Sequence, residues 1–294
     1  MRVAIIGAAG QMGRWLVDHF VSLDHTLVVS DSCSENLHDL AEAHDLVLAS
    51  SNSAAVKDAD VVVVSVPISA TAEAVRDIAP HMKQGAVLCE ISSVKGDIPR
   101  ALQAVAKDGI RPLCIHPMFG PGARTLKKRI ILIPLVNLTT EDSLVESLFP
   151  DSEIIVAGPE EHDRVIALTI SLPYFVNMIL ASVLAHEDIS MLEHFGGTTF
   201  TMQLMLTSSI MSQSYRLHST MHFENKHVLD LLRKLQLSIK ESISSLSEND
   251  VGRFEQIFSE ARDGLSAGVD LAKKYNDMYR VLETLSGESG MVKM

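Results

Sequence analysis

Three short strings in the chain combine residue types and spacings able to do chemistry. The first is His116-Pro117-Met118-Phe119-Gly120. Imidazole is the side chain whose ordinary pKa lies closest to neutrality. A histidine at the end of an apolar run, stiffened by a following proline, can therefore bind an oxygen or take its proton. A histidine with a purely structural part is the alternative. The second string is Ser92-Ser93-Val94-Lys95. Here Ser93 could place a hydroxyl on a substrate and Lys95 an ammonium near a cofactor, while helix capping by Ser92 or Ser93 is the plainer use. The third is the glycine series Gly7, Gly10 and Gly13 in MRVAIIGAAGQMG.

The glycine series indicates how these residues are held. An apolar run at 3–6 precedes it and the amphipathic QMGRWLVDHFVSL follows, so the pattern is strand, tight turn and helix start. Gly7 allows the turn, Gly10 lets backbone approach a phosphate, and Gly13 lets the helix pack on the strand. The backbone N–H groups from Gln11 and Met12 onward then face an anion at the positive end of the helix. Residues 25–30 read as a second strand ending at Asp31, about 20 residues past the loop, where a dinucleotide fold places an acid for the ribose hydroxyls. An acid there favours NAD over NADP, although Ser30 and Ser32 keep NADP open. A simple tight turn and a turn aspartate are the competing readings.

The remaining elements follow in alternation. A helix at 37–44 and a strand at 46–49 lead to 60–67, whose four consecutive valines imply burial on both faces in the middle of a parallel sheet. Ser65, Pro67 and the helix from Ser69 should then line the cofactor crevice. Strands at 86–91 and 111–115 end in the Ser93 and His116 strings, and runs at 129–136 and 154–158 supply further strands. Polar residues at successive strand ends converge on one place. From 160 onward strand signals cease and helical segments are expected at 160–187, 190–222, 226–246 and 248–285, with a frayed tail at 290–294. The chain thus reads as an α/β Rossmann-like dinucleotide-binding domain (1–158) followed by an all-α helical domain (159–294).

Composition narrows the function classes. With 47% apolar and 21% charged residues over 294 positions, the chain has the make-up of a folded globular protein. A net charge of −12 argues against a nucleic-acid partner. No run is expected to reach the roughly 18 uncharged apolar residues of a membrane helix, and the start directly in a strand makes the cytoplasm the expected location. Cys33, Cys89 and Cys114 form neither a CxxC pair nor a disulfide framework, and His218 and His222 lack the glutamate of a zinc helix, so no metal is expected. Lys127-Lys128-Arg129 is either a solvated turn or an anion site, with Lys127 as a substrate candidate. His162 and Asp163 open a helix, where His162 is either a neighbour of the cap or turned to the crevice.

Taken together, Gly7-x-x-Gly10-Gln11-Met12-Gly13, Ser93-Val94-Lys95, His116-Pro117-Met118-Phe119-Gly120-Pro121 and Glu161-His162-Asp163 resemble the prephenate and arogenate dehydrogenases over nearly the whole chain. The resemblance implies NAD(P)-dependent oxidative decarboxylation of a cyclohexadienyl acid in tyrosine biosynthesis, and a homodimer joined through the helical half. It also implies a catalytic histidine in a string like Ser-His-Leu-Pro-His, which here reads Ile170-Ser171-Leu172-Pro173-Tyr174. Ser171 thus stands in the base's place and Tyr174 in that of the second histidine. An arginine that grips a carboxylate is matched by Phe200. Three outcomes are open. The first is prephenate chemistry with replaced parts, such as Arg216, His218 or a neighbouring chain's residue, and His116 assisting the proton transfer. The second is a different ring acid, such as 4-amino-4-deoxyprephenate, and the third an NAD-binding, catalytically silent relative acting as a regulator.

Overall fold

The computed structural model describes residues 1–33, 37–124 and 126–291. The chain divides into two compact units, 1–167 with 219–227 and 168–218 with 228–294. The first departure from an expected boundary at 158/159 thus comes within one helix of it, and the return of 219–227 to the first unit is announced by no pattern in the sequence.

The first unit is built on a sheet of β1 (Arg2–Ile6), β2 (Thr26–Ser30), β3 (Val47–Leu48), β4 (Val61–Val64), β5 (Val87–Glu90), β6 (Arg111–Pro117), β7 (Arg129–Leu132) and β8 (Glu153–Val156), in the order β3-β2-β1-β4-β5-β6-β7-β8. Its connecting helices are α1 (Gln11–Ser22), α2 (His38–His44), α3 (Asn52–Val56), α4 (Ile68–Ile78), α5 (Ile98–Val105) and α6 (Leu138–Leu148). All four valines of β4 are buried, and β4 pairs in parallel with β1 on one side and β5 on the other. This is the Rossmann-like arrangement, in which strand order reverses between β1 and β4 and a crevice opens at their carboxyl ends. β7 runs antiparallel to β6. Among the described residues of 118–128 no helix carries the chain back across the sheet, so it reverses. The core beneath α1 gathers Val3, Ile5, Leu16, Phe20, Val63 and Leu113.

α7 (Pro159–Ile166) runs into a π-helical turn at Ala167–Ser171 and then into α8 (Leu172–Leu184). α9 (Ile189–Phe195), α10 (Thr198–Met211), α11 (Tyr215–Phe223), α12 (Val228–Ser247), α13 (Val251–Ser266) and α14 (Leu271–Met291) complete the helices, with the last residues of α11 counted in the first unit. The second unit is all-α, as expected, but the long segments are interrupted. The segment expected at 190–222 breaks at Gly196-Gly197, where Gly197 caps α10, and again at 212–214. The one expected at 248–285 breaks at 267–270. Asp188 and Asp250 start α9 and α13 by accepting the N–H of Met191 and Arg253. Residues 290 and 291 are helical rather than frayed, and 292–294 lie outside the described residues.

One expectation is corrected by the continuous helical run. Pro159–Leu184 is long and apolar enough, at a mean hydropathy of 1.8, to cross a membrane by length and composition. The sequence reading missed it because Thr169, Ser171 and Asn177 interrupt its apolar texture without charging it. Inside the second unit Asn177 is buried. Its Nδ2 donates to the Pro173 carbonyl, and its Oδ1 accepts from Gln203 and from the Thr207 hydroxyl.

Candidate active site

At the carboxyl end of β1 the chain turns through Gly7, whose φ of +86° belongs to the left-handed region. A Cβ on Gly7 would lie 2.4 Å from the Ser65 carbonyl oxygen, and one on Gly13 would lie 2.2 Å from the Gly7 oxygen. Both glycines are therefore demanded by close backbone packing where β1, β4 and α1 meet. Gly10 differs, since a Cβ there would meet only the Gly7 oxygen at 3.4 Å and otherwise open space. α1 begins at Gln11 with Gly10 as its cap residue, no side-chain cap and no acid in its first turn. The N–H groups of Gln11, Met12 and Gly13 have no acceptor within the helix. The loop is thus a bare backbone cradle that fits a pyrophosphate. Asp31, just past β2, is fixed against it: Oδ2 accepts the Ala9 N–H at 3.0 Å and Oδ1 the Cys33 N–H at 2.9 Å. Ser65 and Pro67 follow β4 directly, the Ser65 N–H bonding to the Ile6 carbonyl and Pro67 standing at the start of α4.

The ends of β5 and β6 are tied together from below. Lys95 is fully buried, and its ammonium donates to Glu90 Oε1 at 2.7 Å, the Ser92 carbonyl at 2.9 Å and the Ile115 carbonyl at 2.7 Å. Three donors meet three acceptors, so the expectation of an ammonium presented to a cofactor is corrected: Lys95 cinches the chain just before Ser93 to the chain just before His116. Glu90 also accepts the Ser92 N–H and the Cys114 thiol. Burial pushes the Cys89 and Cys114 thiols up, with the Glu90 carboxylate adding to it, so neither is a nucleophile. Ser92 pairs with the Thr71 hydroxyl, whereas Ser93 is only half-buried.

His116 is buried on β6, and its Nδ1 lies 2.9 Å from Nε2 of His162 on α7. Nδ1 of His162 lies 2.8 Å from Oδ1 of Asp163. Asp163 in turn accepts the Lys95 N–H at 2.8 Å on Oδ1 and the Gly96 N–H at 3.0 Å on Oδ2. Its own carbonyl accepts from the buried Asn225 amide of the returning 219–227 segment. Burial, then the Lys95 charge, then His162 hold the His116 pKa well below the ordinary histidine value. Burial likewise lowers His162, with Asp163 opposing. Burial alone would raise Asp163, but hydrogen bonds from His162, Gly96 and Lys95 outweigh it and leave its pKa below the usual value. The result is a buried neutral imidazole at a strand end, backed by a second imidazole and a carboxylate.

The loop after His116 rests on α1. Trp15 packs against Phe119 with ring centroids 4.8 Å apart, donates its Nε1–H to the Ala123 carbonyl at 3.3 Å, and lies 5.3 Å below the Lys128 ammonium. Lys127, a substrate candidate in the sequence, forms an exposed pair with Glu153 at 3.3 Å.

Other residues singled out in the sequence belong to the second unit. Ser171 is fully buried at the end of the π-helical turn. The Tyr174 hydroxyl donates to Gln213 at 3.0 Å, and its ring packs on His218. Phe200 is half-buried on the first turn of α10, beside Glu193, Leu204 and Met205 in a pocket of about 320 Å³. Glu90 and Asn225 escaped sequence reasoning. Glu90 left a signal, since a carboxylate within the apolar run 86–91 and five residues before a lysine requires a buried partner; Asn225 left none.

The family model described as prephenate dehydrogenase, nucleotide-binding domain, matches residues 22–142, and that for the prephenate dehydrogenase dimerization domain matches 158–260. The glycine loop itself precedes the first match. A probable arogenate/prephenate dehydrogenase of Methanocaldococcus jannaschii is 22% identical over 284 residues, covering 94% of this chain and 64% of its own length. A 4-amino-4-deoxyprephenate dehydrogenase of Streptomyces pristinaespiralis is 29% identical over 172 residues, 56% of this chain and 57% of its own. The chain therefore spans under two thirds of these curated relatives. Among solved structures, prephenate dehydrogenase from A. aeolicus in complex with hydroxyphenyl propionate and NAD+ superposes with a TM-score of 0.71 at 18% identity, over 91% of this chain and 98% of that one.

Proposed function

Because this chain belongs to the prephenate dehydrogenase family, we propose that it oxidises and decarboxylates a cyclohexadienyl acid of the prephenate or arogenate type with a nicotinamide dinucleotide. The observation that carries this reading is the neutral, buried His116 at the end of β6, in the same sheet whose β1 end forms the pyrophosphate cradle. The backbone of Gly7, Gly10, Gln11, Met12 and Gly13 would hold the diphosphate, Asp31 the adenine ribose, and Ser65 and Pro67 the wall beyond β4. A carboxylate at Asp31 repels a 2′-phosphate and favours NAD. When bound, the nicotinamide supplies the hydride acceptor.

The chain's own part is proton transfer. His116 takes the proton of the ring hydroxyl as the carbon beneath it loses hydride, and loss of carbon dioxide leaves an aromatic ring. Ser93 offers a hydroxyl to the same ring oxygen. The base is thereby His116 and not Ser171, whose alcohol is wholly buried and has no tendency to ionise near neutrality.

A second reading, the 4-amino analogue of prephenate, is favoured by the Streptomyces relative. Assays of reduced-cofactor formation should compare prephenate, arogenate and 4-amino-4-deoxyprephenate, each with NAD and NADP. Turnover of prephenate or arogenate with NAD is the expected result. Turnover of the amino analogue alone selects the second reading, and cofactor binding without turnover of any of the three leaves the silent regulator. The helical unit would join two copies of the chain, as its family description and its exposed apolar side chains suggest.

A further inference from the structure

The hydrogen-bond chain behind His116 permits one arrangement of protons when the two imidazoles are neutral. Backbone N–H groups can only donate, so both Asp163 oxygens act as acceptors toward Lys95 and Gly96. An ionised carboxylate has no proton to give, so the 2.8 Å contact between Asp163 Oδ1 and His162 Nδ1 requires the hydrogen on His162. Neutral His162 then has a lone pair at Nε2. The 2.9 Å contact with His116 Nδ1 is a hydrogen bond only if His116 donates. That leaves the lone pair of neutral His116 on Nε2.

We propose that Asp163 and His162 are positioning residues that hold His116 in its Nδ1–H tautomer, so that Nε2 is the atom that receives the substrate proton. This role rests on the dehydrogenase reading above, whereas the tautomers themselves do not. In the step, the substrate O–H bond breaks, a bond forms to His116 Nε2, and the oxygen keeps the electron pair that becomes the carbonyl as hydride departs. The charged groups around His116 fit this step. Glu90 on β5, Lys95 on the loop after it, Asp163 on α7 and the neutral thiol of Cys114 on β6 together carry one net negative charge, which the imidazolium formed on His116 balances. The imidazolium thus forms in an enclosure already one positive charge short. Asn225, packed from the 219–227 segment, adds an uncharged amide that fixes Asp163.

Nitrogen NMR of the full chain with isotope-labelled histidine tests the tautomers without any turnover. At neutral pH both His116 and His162 should show a protonated Nδ1 and an unprotonated Nε2, with assignments made from the signals lost in His162→Gln. A protonated Nε2 on His116 would overturn the proposal. Kinetics test the consequence. His162→Gln retains an amide near His116 but severs it from Asp163; it should lower kcat by about 100-fold while leaving the cofactor KM unchanged. Asp163→Asn should move the acid limb of the kcat/KM profile to lower pH, because the negative charge that favours the imidazolium is gone. Unchanged kcat in His162→Gln, or an unmoved limb in Asp163→Asn, refutes the positioning role. Absence of turnover in the unsubstituted protein instead refutes the reaction assigned above, and the NMR result still decides the tautomers.

Discussion

In the first unit the large side chains around the sheet, among them Phe20, Leu88, Leu113 and Phe149, are wholly buried, whereas in the second Ile179, Val183, Ile239, Ile243, Leu246 and Phe258 face outward. Among the described residues, Ile210 and Val228 are the apolar side chains of the second unit that reach full burial. The polar interiors differ in the same sense. The first unit encloses charges, in Glu90, Lys95 and Asp163, while the second encloses neutral hydroxyls and amides, in Ser171, Asn177, Thr207 and Ser245. A sheet covered by helices closes its own core and can hold charges at its strand ends. Amphipathic helices whose stripes stay open have not finished burying their apolar area, at about 25 cal/mol for each Å². On our proposal the chemistry belongs to the self-sufficient part, and the helical part is shaped to be completed by another surface, a second copy of the chain.

The contrast is broken most directly on α12. Ile239, Ile243 and Leu246 form one exposed stripe, and replacing Ile243 and Leu246 together by Asp should dissociate the assembly and cost the helical unit more than about 4 kcal/mol. Light scattering and denaturant unfolding at several protein concentrations check this; a monomer with concentration-independent stability would refute it. Next in size is Lys95→Met, which strands the Glu90 carboxylate in the core and should destabilise the first unit by about 3–5 kcal/mol. A loss under about 1 kcal/mol would mean that Glu90 is neutral or relaxes to water.

Acidification should separate the units more gently. His116 and His162 have folded-state pKa values below their ordinary value of 6.5, so the unfolded chain takes up protons that the folded first unit resists. Stability is therefore full above about pH 6.5 and falls as pH drops below it, by at most about 1.4 kcal/mol per pH unit for each histidine. Asp163 acts in the same direction at lower pH, contributing fully above its ordinary 3.8 and losing its contribution as pH falls through a lower folded value. Denaturant midpoints at pH 7 and near pH 5.5 should shift for the first unit, and equal midpoints would contradict the buried neutral histidines. The smallest effect belongs to the second unit, where Thr207→Val removes one of two hydrogen bonds to Asn177 Oδ1 and should cost about 1 kcal/mol.

The strands were legible because period and composition are local. The four valines of β4, the glycine loop and the apolar runs before Ser93 and His116 each announce themselves within ten residues. The antiparallel turn of β7 was hidden, since direction depends on what connects two strands and not on the strands themselves. The expected helix at 190–222 overlooked Gly196-Gly197, a pair that ends a helix more reliably than the apolar periodicity around it continues one. At the site, His116 and Ser93 were visible at strand ends. Lys95 was visible but misread, because a lysine's position in sequence does not reveal whether its ammonium faces a ligand or three carbonyl and carboxylate oxygens below the sheet. The link between His116 and His162 joins residues 46 apart, and only the folded chain displays it.

Trp15 has a practical consequence. It is the one tryptophan of the chain, placed on the second turn of α1 and touching Phe119, Ala123 and Lys128 of the loop that follows His116. A molecule settling on the start of α1, or a shift of that loop, alters the surroundings of a single indole. The protein therefore carries its own optical gauge, and its emission can report occupancy in unlabelled chains, including variants in which turnover has been abolished.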